Sequence, residues 1–504
     1  MMNRKINIIK TTSLLLVLVL FTFTSCDKWL DVRPSNQFDE EEQFESEQGY
    51  MDVLIGTYQA MTDEAIYGAE LSFRFLDVLA QLYTNKSTST DFYGLSARYD
   101  YSKVQASQHT PKIVIENIWK KQYNAIAQLN YLLKRMDSKP KELSEDTYHL
   151  IKGEALALRA FLHFDLLRLF APAFNEANKD QKGIPYVTDF TVSPNNALSI
   201  GDLVKKIEDD LFEAIDLQSD FQNIDQIASN QGSSSLELFY AFRQNRMNYW
   251  ASKALLARVF LYTGDLENAK KYAVEVINSG EFEFLPLANR NFDQRDERSN
   301  ITFTQEHIFS LYHSGLRDIA DNYFKTSSVN PEGSDLYNTK TFLDGIFEVT
   351  RVGMDTDIRS TVSSPSRWEE HNNNVIYSKK YYSDNSSNVN LRMIPLIRLP
   401  EMYYIAAEAS IDPSEALSYL NQVRQARGIS SMLTIDQVQD RTSLKEELFK
   451  EYRKEYYAEG HLWYFFKRHE YTAIPNSVFF GAMDDAVYVF PIPDEELEFN
   501  PDFN

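Results

Sequence analysis

The chain has 504 residues, of which 43% are hydrophobic, and its formal net charge is −22 at pH 7. So acidic a balance disfavours nucleic acid and anionic lipid surfaces as partners, because the field of the whole protein repels polyanions. The chain has one cysteine, which excludes an internal disulfide, so the stability of the fold must come from its packed core.

The N-terminal residues have the order of an export signal. Three basic residues come first, an apolar stretch runs from 14 to 23, and small residues lead into Cys26. The stretch is shorter than the roughly 20 residues that a membrane-spanning helix needs. We therefore predict a signal peptide at 1–25 and acyl chains on Cys26, whose surroundings resemble a bacterial lipobox. Removing three basic and no acidic residues changes the formal charge from −22 to −25.

Helical periodicity dominates the first half of the mature chain. Apolar residues recur at three- and four-residue spacings in 113–136. Pro140 and Ser144 predict the end of this helix and the cap of the next one, at about 146–170. That second helix is apolar on nearly every side from Ala155 onward, which is typical of a helix buried inside a larger assembly.

Two later segments have the pattern of a helical repeat. In residues 249–280, small and aromatic residues fall where a tetratricopeptide unit places them, with a turn at Gly264. Residues 400–427 repeat this plan around a shorter turn at Asp412. The fold class predicted from these patterns is mainly α: a tetratricopeptide-like helical-repeat body with a loop-rich irregular region and a few short strands.

The segments between the helices differ in composition. Residues 84–111 are polar with interspersed aromatics, and 281–395 alternate short β-type runs with Asn, Ser and Asp clusters. Long loops in a compact helical body are more often functional than not. We therefore expect a single domain at 26–504, with a scaffold at 40–280 and 396–470 and ligand-binding excursions at 84–111 and 281–395.

Four stretches, in this order, resemble the SusD/RagB family. They are Gly-Glu-Ala-Leu-Ala-Leu-Arg-Ala-Phe at 153–161, Pro-Leu-Ile-Arg-Leu-Pro-Glu-Met-Tyr at 395–403, Glu-Gly-His-Leu-Trp at 459–463 and Phe-Pro-Ile-Pro at 490–493. The resemblance implies a body of four tetratricopeptide-like pairs that packs against a barrel, and an irregular region that carries the ligand site. It also implies a cell-surface lipoprotein of the Bacteroidetes outer membrane that serves a TonB-dependent transporter of the SusC/RagA type and binds oligosaccharides or peptides.

Eight charged residues lie within otherwise apolar helices and motifs. We expect them to be buried partners that fix helix packing rather than a catalytic acid and base. The sequence has no His-Glu-x-x-His, nucleophile elbow, phosphate loop or dinucleotide fingerprint, so we predict no enzyme activity, no cofactor and no metal. The eight residues are Glu154, Arg159, Arg398, Glu401, Glu408, Arg424, Glu459 and Arg468.

Aromatic residues in the two excursions are the candidate ligand contacts. Their rings can stack on the apolar face of a sugar while phenols and nearby amides, such as that of Asn85, bind its hydroxyls. A tetratricopeptide-like envelope scaffold without a small ligand is the alternative, and a surface hydrolase is a third hypothesis. Convergence of both excursions on one aromatic-lined site favours ligand binding, whereas two carboxylates about 5 to 9.5 Å apart would favour hydrolysis. The candidates are Phe92, Tyr93, Tyr99, Tyr101, Tyr323 and Trp368.

Overall fold

The computed structural model describes most of the chain after its N-terminal segment. The described residues are 43–84, 91–102, 109–190, 193–224, 239–240, 243–293, 295–324, 336–371, 375–381, 388 and 390–503. The predicted signal peptide, Cys26 and Asn85 lie outside them.

Helices dominate the described residues, which confirms the mainly α fold class. Short 3₁₀ and π turns join them, and no described helix has both the length and the apolarity needed to cross a bilayer. The α-helices are α1 Glu47–Met61, α2 Phe75–Leu79, α3 Phe92–Ala97, α4 Pro111–Met136, α5 Glu145–Phe170, α6 Ile200–Leu217, α7 Tyr249–Thr263, α8 Leu266–Ile277, α9 Leu316–Phe324, α10 Lys340–Ile346, α11 Leu399–Ala409, α12 Pro413–Ala426, α13 Arg441–Glu455, α14 His461–Arg468, α15 Asp485–Tyr488 and α16 Asp494–Phe499.

The few strands form three small antiparallel sheets. The first pairs β1 with β2, the second pairs β3 with β7, and the third has the order β4-β6-β5. Strand β7 runs directly into α11. The chain therefore passes from the long excursion back into the helical body at the β3–β7 pair. The strands are β1 Lys182–Pro185, β2 Ala197–Ser199, β3 His307–Tyr312, β4 Asn338–Thr339, β5 Trp368–His371, β6 Val375–Ser378 and β7 Met393–Arg398.

Four helix pairs stack in chain order, as the family resemblance implies. The pairs are α1 with α4, α5 with α6, α7 with α8, and α11 with α12. The second helix of each pair packs on the first helix of the next pair, so α4 lies on α5, α6 on α7 and α8 on α11. Stacking of this kind buries the apolar face that no single pair could bury alone.

Local signals fix the ends of these helices. The Ser144 side chain caps α5 by accepting a hydrogen bond from the backbone N–H of Thr147. Gly264 ends α7 in the left-handed conformation, with φ of +81°, and Asp265 then caps α8. Gly153 allows α5 and α6 to approach, because a Cβ there would lie 2.6 Å from the side chain of Gln218.

A network of buried charges joins the long excursion to the helical body. We call it the buried ion network; among the described residues it links five cations to five carboxylates. Glu455, at the end of α13, accepts hydrogen bonds from three arginines: Arg398 at 2.6 Å, Arg427 at 2.8 Å and Arg359 at 2.9 Å. The members are Arg359, Lys380, Arg398, Arg424, Arg427, Glu306, Asp357, Glu451, Glu455 and Glu459.

The network keeps its two carboxylates on α13 charged. Burial alone would raise the pKa of the Glu455 carboxyl, but Arg427 and Arg398 outweigh burial and hold that pKa well below its ordinary value. The same balance, with Lys454 and Arg359 as the strongest opposing charges, lowers the pKa of Glu451 to about 2. The charges therefore compensate one another within the protein interior.

All eight charged residues singled out in the sequence have partners of opposite charge, which confirms the structural interpretation. Six are buried, and the Glu408–Arg468 pair is largely covered. Outside the buried ion network the pairs are Glu154 with Arg243, Arg159 with Asp210, Glu401 with Arg258 and Glu408 with Arg468.

The Glu-Gly-His motif has a backbone requirement as well. Gly460 has a φ of +73°, and a Cβ at this position would lie 2.2 Å from the carbonyl oxygen of Leu71. Its backbone N–H donates to the buried carboxyl of Asp77 at 3.0 Å. Only glycine tolerates both the positive φ and the close approach to Leu71. The motif therefore joins the start of α14 to the N-terminal part of the body.

We expect Glu455→Gln to destabilise the protein by about 3–5 kcal/mol, because it removes one charge from a buried set and leaves three arginines undercompensated. Urea unfolding at pH 7 measures this loss. Glu267→Gln, on the exposed face of α8, is the matched control and should change stability by less than about 0.5 kcal/mol. A loss below about 1 kcal/mol for Glu455→Gln would contradict a central role for the network.

We also expect stability to fall as the pH drops below about 6.5. Fully buried His163 bonds the carbonyl of Arg159 through Nδ1 and the N–H of Val187 through Nε2, and burial lowers its pKa to about 3. An unfolded histidine titrates near 6.5, so between these values only the unfolded chain takes up the proton. This costs about 1.4 kcal/mol per pH unit. Unfolding curves at pH 7, 6 and 5 should show a shallower decline for His163→Gln, and parallel declines would refute the assignment.

Candidate ligand-binding site

Arg74 is the centre of an aromatic cluster built from both excursions. Its guanidinium carbon lies 4.4 Å from the ring centroid of Phe92 and 4.5 Å from that of Tyr323. Phe92 begins α3 in the 84–111 excursion, and Tyr323 lies in the last turn of α9 in the 281–395 excursion. The two excursions therefore converge on one cation. We call Arg74, Phe92, Tyr93, His109 and Tyr323 the Arg74 cluster.

The edge of the Arg74 guanidinium is bound as well. It forms an ion pair with Glu70, lies 3.0 Å from Nε2 of His109 and donates to the hydroxyl of Tyr93 at 3.5 Å. Burial by itself would lower the pKa of Arg74, but Glu70 and the nearby phenols outweigh it, so the pKa is raised. Arg74 is therefore a fixed positive charge that orients the surrounding rings.

Two members of the cluster reach the surface. The side chain of His109 is 44% exposed, and Tyr323 is half-buried with its hydroxyl donating to Glu64 at 3.0 Å. The ring of His109 also lies 4.7 Å from that of Phe92. An accessible phenol ring beside an imidazole offers a flat face for stacking and a nitrogen for a ligand hydroxyl. This combination suits a sugar or another small polar ligand.

The other three candidate rings lie elsewhere, within the core. The hydroxyl of Tyr99 donates to the carbonyl of Leu79 at 3.0 Å, and that of Tyr101 donates to the carbonyl of Val487 at 3.1 Å. Trp368 donates its indole N–H to a backbone carbonyl at 2.8 Å and packs on Tyr457. All three are at most 9% exposed. Phe92 and Tyr93 are equally buried, at 6% and 8% exposed, and Tyr99 and Tyr101 line a separate cavity of about 510 Å³. A role as ligand contacts therefore stays a prediction for all six rings.

Sequence reasoning did not single out Arg74 or His109 as site residues. Arg74 was detectable in principle, because it is a basic residue between two phenylalanines, Phe73 and Phe75. His109 gave no such signal, since its position directly before the capping residue of α4 says nothing about Arg74. Among the described residues, no cluster of histidine, cysteine, aspartate and glutamate has the size of a metal site.

Comparison with protein families places both halves of the chain in related groups. A family model described as "Starch-binding associating with outer membrane" matches residues 28–261. A second model, described as "SusD family", matches residues 289–504. Together the two matches span nearly all of the chain.

Individual relatives agree with this grouping. A SusD-like protein of Formosa agariphila is 23% identical over 496 residues, which covers 89% of each chain. A SusD superfamily structure from Bacteroides thetaiotaomicron superimposes with a TM-score of 0.66 at 20% identity, covering 91% of this chain and 98% of that one. A SusD-like carbohydrate binding protein from Bacteroides vulgatus gives a TM-score of 0.65 at 19% identity and covers 91% and 97%. At this identity the structural matches establish a shared fold.

Proposed function

This chain belongs to the SusD/RagB family, and from that premise we propose that it is a cell-surface lipoprotein that binds a nutrient oligosaccharide. It delivers this ligand to a TonB-dependent SusC-like transporter in the outer membrane and performs no chemistry on it. The signal-like N-terminus and Cys26 support the lipid anchor. The description of the family as starch-binding and associated with the outer membrane supports both the ligand class and the location.

The Arg74 cluster is the observation that carries the proposal. It joins rings from two excursions that are separated by more than 200 residues in sequence. An envelope scaffold without a ligand has no need for a half-exposed Tyr323 whose ring is held against a buried cation. The C–H face of a pyranose stacks on such a ring, and the imidazole of His109 can bind a sugar hydroxyl.

The architecture supports a partner transporter. The stacked helix pairs form a rigid platform of the kind that binds other proteins along its length. The 281–395 excursion, which supplies Tyr323 to the Arg74 cluster, is joined to this platform by the buried ion network. We propose that the platform docks on the barrel while the cluster holds the ligand. A peptide ligand, as in the RagB branch, is the alternative that the binding experiment below distinguishes.

We expect Tyr323→Ala to weaken oligosaccharide binding at least tenfold, because it removes the stacking face and about 1.4 kcal/mol or more of binding free energy. Calorimetry on the chain without its signal peptide would use maltoheptaose, a β-linked glucan of equal length and a tryptic peptide digest. Tyr272→Ala is the matched control, since Tyr272 is also partly buried but stacks on Phe260 in the helix repeat. Unchanged glycan binding by Tyr323→Ala would refute the site, and binding of the peptides alone would favour the peptide alternative.

We expect Cys26→Ala to release the protein from the outer-membrane fraction. The anchor depends on acyl chains whose membrane affinity grows by about 0.8 kcal/mol per buried CH₂ group, and alanine cannot carry them. Fractionation of cells that produce the native and substituted chains measures this directly. Retention of the Cys26→Ala chain in the membrane at wild-type levels would contradict lipid anchoring, whereas Ser25→Ala serves as a neighbouring control.

A further inference from the structure

A cavity of about 620 Å³ is lined by none of the residues of the Arg74 cluster. It is bounded by α1, by residues 244–246 and by the end of β3 with the turn that follows. Its volume is within the range of about 300–1,000 Å³ that ligand pockets occupy. None of its lining residues carries a carboxylate, although the chain as a whole is strongly acidic.

The cavity has an excess positive charge. Glu154 lies behind its wall and binds Arg243 directly through one carboxylate oxygen. The other oxygen accepts a hydrogen bond from Tyr58 at 2.6 Å and lies 3.9 Å from Nη1 of Arg246, beyond hydrogen-bond distance. One carboxylate thus faces two guanidinium groups, and Arg246 is the one that lines the cavity. Among the described residues, Arg246 therefore shares its carboxylate partner, Glu154, with Arg243.

Two polar groups at the cavity wall each have an atom without a hydrogen-bond partner among the described residues. These atoms are Nη1 of Arg246 and Oε1 of Gln244, and both are buried, while the Arg246 side chain as a whole is 19% exposed. Stacking against Phe239, at 4.7 Å from its ring centroid, and against Tyr58, at 5.8 Å, holds the guanidinium in place. A buried polar atom without a partner is costly, so a ligand that supplies an acceptor to Arg246 and a donor to Gln244 would relieve that cost.

The remaining wall combines a ring with small polar groups. Tyr312 is 53% exposed at the cavity and lies near apolar Met393, while Ser310 contributes from β3. An aromatic face beside hydroxyl and amide groups suits a sugar ring better than an apolar side chain. An anionic acceptor on that ring matches the guanidinium, which binds carboxylates in a planar, directional way.

We propose that this cavity is a second binding site that takes a uronic acid residue of an acidic oligosaccharide, with its carboxylate on Arg246. The proposal rests on the cavity alone and does not depend on the Arg74 cluster. The two sites lie toward opposite ends of α9, since His313 lines the cavity shortly before this helix and Tyr323 lies in its last turn. Nine residues at about 1.5 Å each make α9 about 13 Å long.

Calorimetry with matched ligands tests the proposal on the chain without its signal peptide. The probes are a trigalacturonate, its fully methyl-esterified form, which lacks the charge, and a dipeptide with a free carboxylate. We expect the acidic trisaccharide to bind at least tenfold more tightly than its ester, with an affinity that decreases as salt is added. Equal binding of acid and ester, or no binding of the acid, would overturn the proposal, and tighter binding of the dipeptide would overturn the sugar assignment.

Two substitutions separate this site from the first one. Arg246→Gln should reduce binding of the acidic trisaccharide at least tenfold, and Arg246→Lys, which keeps the charge without the planar fork, should have an intermediate effect. Tyr323→Ala should leave this binding unchanged, so failure of either site is distinguishable from failure of the other. Wild-type affinity in Arg246→Gln would overturn the proposal; if that variant does not fold, the comparison of acid and ester on the native chain decides.

Discussion

The structure depends on the buried ion network, because it is what holds a region of more than 100 residues to a helical platform. Three of its five carboxylates lie at the end of α13 and in the turn that follows, while Arg359 and Lys380 come from the excursion and Arg398 and Arg427 from the helix pair beside it. In a medium of low dielectric constant such charges are tolerated only when each has its partners in place. The network therefore fixes where the excursion lies, and with it the position of Tyr323.

The helix pairs and the excursions are stabilised in different ways. The pairs bury a continuous apolar core along the chain, and their regular stacking needs only local contacts between neighbours. The 281–395 excursion buries an apolar cluster of its own, which includes Phe292, Phe303 and Ile358, and it is joined to the helix pairs by the β3–β7 pairing and the buried ion network. A rigid platform with fastened loops is a suitable arrangement for holding a ligand beside a partner protein.

Two arginines of this acidic chain have different surroundings. The guanidinium of Arg74 lies within 4.5 Å of the ring centroids of Phe92 and Tyr323 and is bound along its edge by Glu70 and His109. That of Arg246 packs on Phe239 and faces a carboxylate that also binds Arg243. Under the two proposals, the first arrangement favours a neutral sugar face, and the second favours a carboxylate.

The sequence by itself indicated several of the long helices, the cap at Ser144, two of the helix pairs and the need for the charged residues in the motifs to have partners. Those features arise from short-range periodicity and from the rule that buried charges require partners. It did not determine which aromatic rings meet. Phe92 and Tyr323 both lie against Arg74, whereas Tyr101 does not. All three rings lie in the excursions between predicted helices, so the sequence does not distinguish them. Only the tertiary structure decided this, because contacts between distant segments depend on how the platform and the buried ion network place the excursions in space.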